Sequence, residues 1–193
     1  MQLRWERLGN IAEILTGMSG LEPEGAYRYL VVQPNSFSDT GRLEPLETQC
    51  RQDEVPQQQM LKAGDVLLKR LNPSFVHAVD AAQEGMVASP NLLVIRPSEG
   101  IDPFYLACLL EQKDIIGQVE HVSGNTAAIK AISIKKLAEI SIPIAPMEEQ
   151  KRLGEIWKLT RKRKQLLRDY IAEGDRLVSM MASTITNGGG SKR

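Results

Sequence analysis

Apolar residues come in short bursts along the first 146 positions, and the bursts are separated by Gly, Pro and polar residues. A helical turn is expected near Trp5–Leu8, then a strand over Ile11–Leu15 that stops at Gly17. Tyr27–Val32 is β-branched and aromatic, the composition of a second strand. From Gln33 to Gln59 the chain is polar and rich in Pro, Gly, Gln and acidic groups, and reads as a long loop. Leu61–Leu68 reads as a Gly-Asp turn feeding a buried strand. Phe75–Ala82 alternates weakly, and Asn91–Ile95 is a short apolar strand closed by Pro97. At Asp102-Pro103 the period changes to a helical one: an Asp caps the helix and a Pro occupies its first turn. Ser133 is placed to cap a short helix through Leu137, and Ile140–Ile144 forms a closing strand. Many short strands with a few short helices predict an α+β domain.

Beyond Pro146 the pattern changes. Pro is absent from Met147 to Thr186, and Glu148 and Glu149 sit where an N-terminal helix dipole favours negative charge. Leu153, Ile156, Leu167, Ile171, Val178 and Met181 recur at spacings that form one apolar seam, together with Trp157, Thr160, Tyr170, Leu177 and Ile185. The basic run Arg161–Lys164 interrupts the seam and reads as a solvated face. Such a helix is roughly 55–60 Å long, too long to fold back fully on a domain of this size. It is expected to pair with a partner helix as an antiparallel coiled coil. The division that follows is a domain over 1–146, a helix over 147–186 and a flexible tail over 187–193.

Composition adds limits. The 193 residues are 42% hydrophobic and 25% charged, enough for a real core. No apolar run is long enough for a membrane span, and the charged start MQLRWERLGN does not read as a secretory leader. Cys50 and Cys108 are far apart, which excludes a disulfide framework or a four-cysteine zinc site and fits reduced thiols in a cytoplasmic protein. The net charge is zero but unevenly spread. Residues 147–193 carry 11 Lys/Arg against 6 Asp/Glu, a net +5 that leaves the first 146 residues at −5. A basic tail on an acidic body hints at nucleic acid or an acidic partner.

The motifs in order carry a resemblance. They are Leu61–Leu68 with its Gly-Asp-Val-Leu-Leu core; Ala88-Ser89-Pro90-Asn91-Leu92; Ile101-Asp102-Pro103-Phe104-Tyr105-Leu106; Ser123-Gly124-Asn125-Thr126; Ile134-Lys135-Lys136-Leu137; and Ile140–Gln150. Together they resemble the target-recognition domain and spacer helix of type I restriction–modification specificity subunits. Where that family usually has two adjacent prolines, this chain has Ala145-Pro146. A full specificity subunit resembles two such units in tandem, so the chain reads as a half-subunit that must pair. The resemblance implies double-stranded DNA as ligand, a homodimer, methyltransferase and restriction subunits as partners, and a split DNA site. A helical interaction protein that regulates such a complex without reading DNA is the alternative.

Catalysis is not expected. Ser74, His77 and Asp80 lie close in sequence, but steps of three in a strand or loop do not converge a triad. Gly-x-Ser-x-Gly, Walker and His-Glu-x-x-His motifs are absent, as is the Asn-Pro-Pro-Phe/Tyr signature of adenine methyltransferases. No cofactor and no metal site is expected. The DNA-binding candidates fall in two polar loops. Lys69, Arg70, Asn72 and Ser74 combine cations for phosphate or guanine with an amide for adenine. His121, Ser123, Asn125, Thr126 and Lys130 place short donors beside Gly124. Gln33, Asn35 and Ser36 form a weaker third set, and Gly64-Asp65 reads as a structural turn.

Overall fold

The computed structural model describes residues 3–37, 46–71, 76–121 and 131–188. In chain order the elements are β1 (Arg4–Arg7), α1 (Leu8–Ile11), β2 (Ala12–Thr16), β3 (Tyr27–Val32), β4 (Glu47–Arg51), β5 (Val66–Lys69), β6 (Val76–Ala78), β7 (Val87–Ala88), β8 (Leu92–Pro97), α2 (Pro103–Leu110), α3 (Lys113–His121), α4 (Ile134–Glu139), β9 (Ser141–Ile144) and α5 (Met147–Gly188). The class is α+β, with a long C-terminal helix.

The central sheet is antiparallel, in the order β2-β8-β5-β6. Its two inner strands read as unbroken apolar runs because both faces are covered. Val66 and Leu68 of β5, with Leu93 and Ile95 of β8, face a core shared with Leu8, Leu106, Leu110, Leu137 and Ile142. Leu67, Leu92 and Val94 point the other way, into a second core with Val32, Phe37, Leu61, Val79 and Ala88. Helices therefore cover one face, and the three-stranded sheet β4-β3-β7 covers the other.

Polar side chains lock the turns. Gly64 takes φ +91°, a conformation that favours glycine. Asp65 beside it is buried, and its carboxylate accepts from Arg96 Nε and Nη2 at 2.9 and 2.8 Å and from the Lys62 backbone N–H at 2.9 Å. The remaining Arg96 donors reach the carbonyls of Gln58 and Met60, so the Gly-Asp turn is structural. Asp102 and Ser133 cap α2 and α4 through the N–H groups of Tyr105 and Lys136.

Four expectations change. Trp5 lies in a strand, not a helical turn, because β1 pairs with β9 (Trp5 opposite Pro143) at the far end of the domain sequence. The polar stretch Gln33–Gln59 contains β4, an edge strand that buries only Cys50 and so carries no alternating signal. A helix, α3, precedes the second candidate loop, so His121 closes a helix. Finally, the start of α5 packs on the domain. Gln150, Gly154, Trp157 and Arg161 recur at steps of four, three and four on the face turned to α2. The Gln150 amide is buried; it accepts from the Asp102 N–H and donates to the carbonyls of Ala145 and Gly100. Every described residue from Leu166 to Thr186 is exposed.

Candidate nucleic-acid interface

Lys69 ends β5, where it stands opposite Leu92, and Arg70 follows it; both are half-buried. The Arg70 backbone is fixed on both sides: its N–H donates to the Asn91 carbonyl at 2.9 Å, and its carbonyl accepts from Ile132 N–H at 2.9 Å. Leu71 pairs with Ala131 in an isolated antiparallel bridge. The chain thus brings together two points far apart in sequence, one just before positions 72–75 and one just after positions 122–130. Asn72, Ser74, Ser123, Asn125, Thr126 and Lys130 lie outside the described residues.

The other ends of these two segments are also held. The Gln118 amide in α3 accepts from Ser141 N–H at 2.9 Å and donates to the Ser141 carbonyl at 3.2 Å, tying the helix that ends at His121 to β9. Val76, which opens β6, pairs with Leu68, and its carbonyl accepts from Arg161 Nη1 at 2.6 Å. Gln118 and Arg161 are structural supports that residue-type reasoning missed. Neither carries a local signal, because their partners are set by topology.

Arg70 is the distinctive group at this crossing. Its Nε is buried and meets no acceptor among the described residues. Two other arginines have clear partners, Arg96 with Asp65, and Arg161 of α5 with the Val76 carbonyl and Glu111. A buried guanidinium N–H without a partner is costly in a folded protein and calls for an explanation. Guanidinium chemistry suits a guanine edge or a phosphate oxygen.

The third candidate set has a local use. Gln33 N–H donates to Ser36 Oγ at 2.8 Å, and the pair cap the turn Pro34–Ser36, leaving Asn35 exposed. Asp80 Oδ1 accepts from Ala82 N–H at 2.9 Å, and His77 has a different partner. Its Nε2 bonds Gln83 Oε1 at 2.9 Å, its ring lies 4.6 Å from that of Phe37, and Ser74 is outside the described residues. Burial pushes the His77 pKa below 6.5, which favours the neutral ring. Burial likewise raises the Cys108 thiol above its ordinary range, and neither cysteine is paired. No cluster of metal-ligating side chains occurs among the described residues, and no helix there is long and apolar enough to cross a membrane.

Leu153, Ile156, Leu167, Ile171, Val178 and Met181 of the seam are exposed, from 37% for Leu153 to 68% for Val178, whereas Trp157, read as part of the seam, is half-buried on the docked face. At 3.6 residues per turn the seam lies roughly 100° around the helix from the face docked on α2. Docking and seam are therefore separate surfaces of one helix. Arg161, placed on a solvated face by its sequence context, instead belongs to the docked face; Lys162, Arg163 and Lys164 are exposed.

Comparison with known proteins supplies the family. The type I restriction modification DNA specificity domain matches residues 57–168, more than half of the chain. A type I restriction enzyme MjaX specificity subunit from Methanocaldococcus jannaschii is 26% identical over 170 residues, covering 79% of this chain and 38% of that protein. Among solved structures, the HsdS subunit of Thermoanaerobacter tengcongensis superposes with a TM-score of 0.65 at 20% identity, over 94% of this chain and 48% of that one. A type I R-M system structure concerned with complex assembly and conformational transition gives 0.67 at 19% identity, over 99% and 51%. The S subunit from M. genitalium gives 0.61 at 14% identity, over 95% and 45%. The chain spans about half or less of these relatives' length, and their shared fold is the one described above. By the match over residues 57–168, the chain belongs to the type I restriction modification DNA specificity domain family.

Proposed function

We propose that the chain is a non-catalytic DNA-recognition half-unit of a type I restriction–modification system, acting as a homodimer on a bipartite site. In this reading residues 1–146 read DNA, and 147–186 pair antiparallel with a second copy and set the distance between readers. Methyltransferase and restriction subunits assemble on the dimer and supply the chemistry. One observation carries the DNA-reading role: Arg70, with a buried N–H that meets no acceptor among the described residues, adjoins the bridge Leu71–Ala131. Lys69, Asn72, Ser74, His121, Ser123, Asn125, Thr126 and Lys130 flank it in sequence and complete the proposed reading surface.

The alternative, a helical regulator that does not touch DNA, draws on the exposed seam of α5. Salt separates the two. Several phosphate contacts make affinity fall steeply as salt rises, whereas an apolar interface does not. Arg70→Ala should weaken binding to the cognate duplex by about 1–3 kcal/mol if the side chain meets a guanine. Fluorescence anisotropy on labelled duplexes over a salt series measures both. Equal affinity of wild type and Arg70→Ala for cognate and random DNA removes Arg70 from the site, and a flat salt response favours the regulator.

A further inference from the structure

The docked face of α5 ends in a clamp built from three elements. Arg161 Nη1 donates to the Val76 carbonyl on β6 at 2.6 Å, and Nη2 lies 3.2 Å from Glu111 Oε1 just beyond α2. The guanidinium also covers the Trp157 ring, 4.8 Å from its centroid. Trp157 Nε1 donates to the other Glu111 oxygen at 2.6 Å, and its ring lies 6.4 Å from that of Phe104 in α2. One carboxylate thus receives both side chains of the helix, while the arginine reaches past it to the strand that opens at Val76. Gln150 and Gly154 hold the helix upstream, where a methyl at Gly154 would sit 2.5 Å from Asp102 Oδ1. Downstream of Gln165 every described residue through Thr186 is exposed.

The geometry points to Trp157, Arg161 and Glu111 as the positioning residues that fix the angle between recognition domain and spacer helix, and so the length of the unread spacer in the DNA site. This assignment rests on the bipartite-site reading above. Lever arithmetic supports it. From Arg161 to Gly188 the helix runs on for about 40 Å. A tilt of about 10° at the clamp moves its far end by roughly 7 Å, or two base-pair steps at about 3.4 Å each. A single contact would leave that tilt soft. Contacts of Arg161 to β6, of Arg161 and Trp157 to Glu111, and of the Trp157 ring to Phe104 in α2 restrain it in different directions, and the β6 contact ties the helix to the strand that follows the proposed reading loop.

Two readouts test the assignment, one without DNA. Nitroxides on Glu99→Cys in the body and Ser179→Cys on the exposed helix report their separation, in chain diluted with unlabelled protein; the native cysteines are both buried. The wild type should give a narrow distance distribution. Arg161→Met should broaden it, and Arg161→Lys, which keeps the charge towards Glu111 but loses the fork to Val76, should broaden it less. On duplexes carrying the two half-sites at varied spacing, the wild type should bind spacers one base pair off at least about tenfold more weakly. Arg161→Met should bring them within about threefold, with half-site base preferences unchanged. A distribution of wild-type width in Arg161→Met, or an unchanged spacer profile, overturns the assignment. A wild type that prefers no spaced site would overturn the bipartite reading instead, and the label distances would still decide the clamp.

Discussion

Gly154→Ala is the sharpest test of how α5 is seated. In an isolated helix this change is favourable, by about 0.8–1 kcal/mol. Here the added methyl would lie 2.5 Å from Asp102 Oδ1 and 3.0 Å from both Phe104 Cβ and Tyr105 N. These neighbours cannot yield freely. Asp102 Oδ1 caps α2 by accepting from Tyr105 N–H at 2.8 Å, and the Asp102 N–H is held by Gln150 Oε1 at 2.9 Å. Displacing the cap costs about 1 kcal/mol, and crowding a packed contact costs about 1–3 kcal/mol. The balance is a destabilisation of roughly 1–3 kcal/mol. With a urea dependence of about 2 kcal/mol/M, the unfolding midpoint should drop by ~0.5–1.5 M. Gly117→Ala in α3 is the matched comparison, since a methyl there meets no atom within 4 Å. It should be neutral or stabilising by up to ~1 kcal/mol. If Gly154→Ala unfolds at or above the wild-type midpoint, α5 is not packed against α2 as described.

Asp65→Ala strips the buried carboxylate from Arg96 and from Lys62 N–H, and should destabilise by about 3 kcal/mol in the same unfolding assay. Because burial holds the His77 pKa below 6.5, the unfolded chain takes up that proton first as pH falls. Stability should therefore be full above pH 6.5 and decline in the window beneath it, and His77→Gln should remove this part of the slope. Leu167→Asp, at an exposed seam position, should shift the chain from dimer to monomer in sedimentation at micromolar concentration; a monomeric wild type would remove the basis for the paired helices.

Local chemistry made much of the fold legible. Asp102-Pro103 and Ser133 marked two helix starts because a cap is an interaction between near neighbours. Tyr27–Val32 was readable as a strand from its β-branched and aromatic content. The inner strands β5 and β8 showed as apolar runs because both faces are buried. What escaped depends on distant partners. Trp5 is a strand residue only because β9 arrives beside it, and β4 buries little besides Cys50. The candidate surface divides the same way. The cation–amide composition drew attention to Lys69 and Arg70, but that the buried Arg70 Nε meets no acceptor among the described residues is a fact of three-dimensional surroundings. Arg161 sat in a basic run that reads as solvated, and only the approach of β6 and Glu111 gives it a structural task.

Symmetry gives the central claim its most direct measurement. Two identical readers related by a two-fold axis face equivalent bases on opposite strands. Purified chain should be incubated with a pool of random duplexes, and the bound fraction recovered and sequenced over several rounds. The account predicts enrichment of two inverted copies of one half-site, separated by a spacer of fixed length and free sequence. Recovery of an asymmetric or contiguous motif, or of no motif at all, would contradict it.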